Sequence, residues 1–97
     1  MIKRLEAKIY GRVQMVLFRD FTRWNAKKLG LTGFVRNETD GSVWVVAEGE
    51  EGALKHLLAK IHRGPMFARV EDVEIEWKGA SGEFQDFVID YSINWNV

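Results

Sequence analysis

The spacing of apolar residues switches from a period of two to a helical period and back, twice, and this leaves few folds open. Leu5, Ala7 and Ile9 alternate with Arg4, Glu6, Lys8 and Tyr10, the period of a strand with one buried face. From about Asp20 to Leu29 the period is helical. Phe18, Phe21, Thr22, Ala26 and Leu29 fall near one face, with Arg23, Lys27 and Lys28 elsewhere. Asp20 suits a first helical turn, and Gly30 is a natural left-handed stop. Leu31 to Asn37 reads as a second strand and Ser42 to Glu48 as its return, joined by a turn whose strongest signal is Asp40-Gly41. Glu50 and Glu51 open a second helix, striped by Ala53, Leu54, Leu57, Leu58 and Ile61 and ended by Gly64-Pro65. Val73, Ile75 and Trp77 alternate in a fourth strand, a glycine-containing turn spans Lys78 to Gly82, and Phe87, Ile89 and Tyr91 alternate in a short fifth strand.

The order is βαββαβ with one extra C-terminal strand. Two helices with single apolar stripes need one common sheet face to cover. The expected fold is therefore α+β: a ferredoxin-like two-layer α/β sandwich, its mostly antiparallel sheet covered on one face by two helices. The 97 residues suit a single domain, 1–97, with its core over about 5–91 and a short tail, 92–97, that either extends the last strand or is disordered. This fold hosts many functions and decides none of them.

Charge and composition narrow the classes. Lys+Arg and Asp+Glu number 14 each, so the basic excess of a general nucleic-acid or membrane-surface binder is missing. The absence of cysteine excludes disulfides, thiolate zinc sites and cysteine nucleophiles. Charges at Lys3, Arg4, Glu6 and Lys8 interrupt any signal-peptide core, and no run reaches the ~20 apolar residues of a membrane helix. A cytoplasmic monomer with neither nucleic-acid nor membrane partners is the expectation.

The chemistry concentrates in Gly11-Arg12-Val13-Gln14-Met15-Val16-Leu17-Phe18-Arg19, which joins the first strand to the first helix. Such a loop aims backbone N–H groups at the helix mouth, where the dipole favours an anion. Arg19 adds a planar fork suited to phosphate or carboxylate, or it is a surface arginine lying past Phe18. Asn37 is either a turn asparagine or a side-chain amide able to hold a water or a substrate oxygen. His56 and His62, six apart on a helix, do not share a face, and a metal site is not expected. Trp24, Trp44, Trp77 and Trp95 are dispersed and carry no RNA-recognition signature. Neither a Walker loop nor a dinucleotide fingerprint is present.

Taken together these residues are more specific than any one of them. Gly11-Arg12-Val13-Gln14, then Val16, then Phe18-Arg19, resembles the acylphosphatase signature G-x-V-Q-G-V-x-F-R. Gly33-Phe34-Val35-Arg36-Asn37 followed by Asp40-Gly41-Ser42-Val43 resembles that family's second signature, G-[aromatic]-V-x-N-x-x-D-G-x-V. Ala47-Glu48-Gly49, Gly64-Pro65, Ala68-Arg69-Val70 and Phe87-Val88-Ile89 also match, so the resemblance spans about residues 5 to 91.

The resemblance implies a small hydrolase needing no metal and no cofactor. Its substrate would be a small-molecule acyl phosphate, cleaved to a carboxylate and inorganic phosphate. Arg19 would bind the phosphoryl oxygens with N–H groups of the loop Gln14, Met15, Val16, Leu17 and Phe18, and Asn37 would hold the attacking water. The rival expectation is a non-catalytic phosphate-binding module that keeps the fold and Arg19. Three departures stand out. Met15 replaces a glycine, Leu17 replaces a common glycine, and Met66-Phe67 stand where a proline and a small residue are usual. If the loop needs positive φ at Met15, strain of roughly 1 kcal/mol is expected there. A thioether in the oxyanion pocket would also weaken turnover, and Met15→Gly is then expected to raise it.

Overall fold

The structure, a computed structural model, describes residues 1–92. The expectation for the tail falls on 93–97, outside the described residues, as does Trp95. The elements are β1 (Ile2–Arg12), α1 (Phe18–Lys28), β2 (Thr32–Asn37), β3 (Val43–Glu50), α2 (Glu51–Arg63), β4 (Arg69–Gly79) and β5 (Phe87–Ile89). The sheet runs β4-β1-β3-β2-β5, antiparallel throughout except that β5 lies parallel to β2. This is the ferredoxin-like α+β arrangement that the periodicity implied.

The register explains the core. Leu5, Ala7 and Ile9 of β1 lie opposite Ala47, Val45 and Val43 of β3, and all six are fully buried. Leu54, Leu57 and Ile61 of α2 and Phe18 of α1 cover that face, each worth about 2 kcal/mol against exposure. α1 lies on β2 and β5, whereas α2 lies on β3, β4 and β1. Gly33 shows why the hairpin can pair so closely. Its φ is 138°, and a Cβ there would strike the backbone carbonyl of Val46 across the ladder.

Most element bounds differ from the expectation by one or two residues, and the start of β4 differs by more. β4 begins four residues before Val73 because it pairs along β1 as far as Arg12↔Arg69. A register shift at Tyr10/Gly11 breaks its alternation there. β5 ends at Ile89, two residues before Tyr91.

The sheet's other face carries a strap, residues 80–86, that leads into β5. Glu48 anchors it. One carboxylate oxygen accepts from the Ser81 N–H and hydroxyl at 2.8 and 2.9 Å, and the other accepts from the Gly82 N–H at 3.0 Å. Arg4 donates to Glu48 and to Glu83, both at 3.3 Å, and the Phe84 ring packs edge-on against Phe34 at 5.9 Å. Burial pushes the Glu48 carboxyl up. The Ser81 and Gly82 N–H groups, the Ser81 hydroxyl and Arg4 outweigh it and hold the group below its ordinary value.

Candidate active site

β1, β3 and α2 fix which end of the sandwich carries the chemistry. The loop leaving β1, the start of β3, the end of β2 and the N-terminus of α1 all lie at one end of the sheet. α2 finishes there too, with Gly64 backed against the Phe18 ring.

The loop 14–17 holds an unusual backbone. Met15 and Leu17 have φ of 62° and 64°, and Val16 between them does not. Alternation of this kind turns successive N–H groups toward one concavity, a nest for an anion. No carbonyl or side chain among the described residues accepts from the N–H groups of Met15, Val16 or Leu17. Leu17 is also the N-cap of α1 and offers no side-chain cap, so the first N–H groups of that helix remain open. Left-handed backbone costs a non-glycine residue roughly 1–2 kcal/mol. The strain expected at Met15 is therefore present, and Leu17 carries it equally. The Met15 side chain is 96% exposed. That corrects the expectation of a thioether in the oxyanion pocket, because the left-handed backbone directs it into solvent.

Gln14 is the tie that places this nest. Its side-chain amide donates to the carbonyls of Glu38 at 2.8 Å and Ser42 at 2.9 Å. Both carbonyls belong to the β2–β3 turn, immediately after Asn37. That turn is itself fixed. Glu38 N–H donates to Ser42 O at 2.8 Å, and Asp40 accepts from the Ser42 N–H at 2.9 Å and from its hydroxyl. Those two Ser42 bonds, with Lys8 at 3.0 Å, lower the Asp40 carboxyl to about 2. Gln14 thus belongs to the loop, but its side chain faces the hairpin. Its place in the motif marks it, whereas nothing in its spacing reveals the two acceptors.

Asn37 sits at the end of β2 with its side chain on the helix side, 8% exposed. Its Oδ1 is buried and accepts no hydrogen bond among the described residues. A buried amide oxygen without a donor costs ~1–3 kcal/mol unless a water or ligand supplies one, so the observation favours the water-holding reading over a turn asparagine. Thr22 Oγ1, on the buried face of α1, also has no partner among the described residues; the structure gives it no assignment.

Arg19 lies in the first turn of α1, half-buried and without an ion pair among the described residues. Asp20 beside it pairs at 3.8 Å with Arg23 instead. The Arg19 guanidinium rests over the Tyr91 ring, 5.1 Å from its centroid. The sequence gives no warning of Tyr91, which reaches Arg19 only because β5 lies parallel to β2 beneath α1. His56 and His62 are exposed on α2. Among the described residues no group of three or more His, Asp or Glu could hold a metal ion, and no helix is long and apolar enough to cross a membrane.

Comparison with known proteins shows the family and the fold. The family model for acylphosphatase matches residues 5–89. The chain is 52% identical over 85 residues to the acylphosphatase of Salinibacter ruber, spanning 88% of this chain and 90% of that protein. It is 49% identical over 87 residues to that of Rubrobacter xylanophilus, spanning 90% and 79%. Its structure superposes on the crystal structure of acylphosphatase from Bacillus subtilis with a TM-score of 0.89 at 34% identity, covering 94% of this chain and all of that one.

Proposed function

The chain belongs to the acylphosphatase family, and from that premise we propose how its residues divide the work. The activity is hydrolysis of an acyl phosphate to a carboxylate and inorganic phosphate. The phosphoryl group sits in the nest, its oxygens on the N–H groups of Met15, Val16, Leu17 and Phe18 and on the Arg19 guanidinium. Asn37 Oδ1 accepts a hydrogen bond from the attacking water and so aims the water's lone pair at phosphorus. The observation that supports this is the Gln14 tie, which joins a loop with open N–H groups to the turn that follows Asn37, whose buried Oδ1 has no donor among the described residues.

Such a site suffices without a metal. Phosphoryl transfer passes through a loose transition state, so positioning and charge stabilisation dominate. The water oxygen bonds to phosphorus as the bond to the acyl oxygen breaks. That electron pair leaves on the carboxylate, whose pKa near ~4 needs little help from an acid. The water's proton passes to a phosphoryl oxygen of the substrate itself. Strain at Met15 and Leu17 is expressed as a moderate loss of turnover. The wider reading is one domain over residues 1–97, which the length suits, in a cytoplasmic monomer; the missing basic excess supports the part of it that has no nucleic-acid or membrane-surface partner.

The test is hydrolysis of benzoyl phosphate in the presence of a chelator, with inorganic phosphate as inhibitor. Arg19→Ala loses both phosphate affinity and rate. Asn37→Ala loses rate, at least about a hundredfold, and keeps phosphate affinity. Full turnover by Asn37→Ala would overturn its role, and chelator-sensitive turnover would overturn the metal-independent scheme.

A further inference from the structure

Four large apolar side chains stand in solvent at the mouth of the site: Met15, Leu17, Met66 and Phe67, at 96%, 73%, 89% and 75% exposure. The topology places the two segments that carry them side by side. Arg12 of β1 pairs with Arg69 of β4, so the loop that follows Arg12 and the turn that precedes Arg69 rise from neighbouring strands. That turn, Pro65–Ala68, is closed by Ala68 N–H to Pro65 O at 3.0 Å. It is held at the site by Gly64, where a Cβ would stand 3.3 Å from the Phe18 ring. Neither segment 11–19 nor segment 62–70 contains an acidic residue, and both carry arginines.

Displacement geometry says which ligand group meets this surface. The attacking and leaving oxygens lie on opposite sides of phosphorus in an in-line transfer. Asn37 holds the water at the end of β2. In the order β4-β1-β3-β2, the Pro65–Ala68 turn lies three strands away, ~14 Å at the usual strand spacing. The acyl group leaves on the side of phosphorus away from Asn37, and the Pro65–Ala68 turn is the apolar segment that the strand order sets on that side of the sheet end. Two thioethers and an exposed ring adapt readily to an apolar ligand.

We propose that Met66 and Phe67, with Met15 and Leu17 beside the nest, form the acyl-binding surface. This surface selects acyl phosphates with an aromatic or long aliphatic acyl group over acetyl phosphate. The proposal rests on the phosphoryl and water positions given under Proposed function. It also gives a role to Met66-Phe67, which depart from the usual proline and small residue.

The experiment compares the wild type with the double variant M66S/F67S, both positions being exposed in a turn and remote from the core. Two readouts are taken: kcat/KM for benzoyl and acetyl phosphate, and calorimetric Kd for benzylphosphonate and methylphosphonate. The wild type is expected to favour the phenyl member of each pair about tenfold, the factor that half-burial of a ring supplies. M66S/F67S is expected to reduce that preference below about twofold. A wild type without preference, or a variant that keeps it, overturns the proposal, including the case where the patch instead captures lipid vesicles or another protein. A wild type that hydrolyses neither acyl phosphate overturns the catalytic reading, while the phosphonate ratio still decides this one.

Discussion

Replacing Gln14 by Glu changes one atom group and tests the tie on which the site geometry depends. In the wild type two donors of one amide meet two carbonyls, Glu38 O at 2.8 Å and Ser42 O at 2.9 Å. At neutral pH the Gln14→Glu carboxylate has no donor and faces both carbonyl oxygens. Two lost hydrogen bonds at ~1 kcal/mol each set the cost at about 2 kcal/mol, with added repulsion if the carboxylate stays in place. For a chain of this size that lowers Tm by roughly 8–16 °C. The nest loses its register to Asn37, and a misplacement costing ~1.4 kcal/mol in the transition state slows turnover about tenfold.

The pH dependence separates this reading from a general loss of packing. The Gln14→Glu carboxyl, facing carbonyls, has a folded pKa raised above its unfolded value near ~4.3. Its protonated form donates one hydrogen bond, so the missing stability returns as pH falls. The deficit relative to wild type is largest above the raised pKa and shrinks toward pH ~4. Urea denaturation of both proteins from pH 7 to 4, with benzoyl phosphate turnover at pH 7, measures it. A deficit constant with pH, or a variant as stable and active as wild type at pH 7, would refute the tie.

Three further changes probe the parts that Gln14 does not touch. Met15→Gly removes left-handed strain of about 1–2 kcal/mol, so turnover rises by no more than about thirtyfold; a larger rise in steady-state assays would mean that the side chain does enter the pocket. Glu48→Gln destabilises the strap by about 2 kcal/mol at pH 7, as expected for donors that lose a charged acceptor. Because the Glu48 carboxyl is held below its ordinary value, its contribution is full above pH ~4.5 and fades as pH falls through the lowered value; denaturation curves for wild type and variant should converge on acidification. Tyr91→Ala frees the Arg19 guanidinium and weakens inorganic phosphate as an inhibitor about threefold, whereas Tyr91→Phe keeps the ring and the affinity; equal loss in both variants would assign the effect to the hydroxyl instead.

The fold was legible because its signals are local. Leu5, Ala7 and Ile9 needed only their alternation, and Leu54, Leu57 and Ile61 only their helical stripe, to mark the two faces that meet. Extents were less legible where charge masked the period. β4 runs back to Arg69 because its partner strand is long, and no alternation in Arg69–Asp72 reveals that. For the site, Arg19 and Asn37 were visible as residue types in two spaced motifs, but their neighbours were not. Gln14 finds Glu38 and Ser42 across 24 and 28 residues, and Tyr91 finds Arg19 only through a parallel edge strand. Long-range pairings of this kind leave no periodic trace.

These same pairings explain how a strained loop persists without glycine at Met15 or Leu17. A left-handed residue relaxes unless its neighbours over-determine it. Here the loop is pinned at both ends. Gln14 fastens its entry to a turn that Asp40, Ser42 and Lys8 make rigid, and Phe18, 1% exposed, fastens its exit in the core. Neither anchor uses the N–H groups of Met15, Val16 or Leu17, so rigidity is supplied entirely from outside the nest and its donors stay open for an anion. The strap works in the same way on the other side. Glu48 holds Ser81 and Gly82, the strap delivers β5 to β2, and the chain beyond β5 brings Tyr91 under Arg19. Polar side chains outside the nest's own N–H groups therefore set its geometry, and their loss should register in turnover as well as in stability.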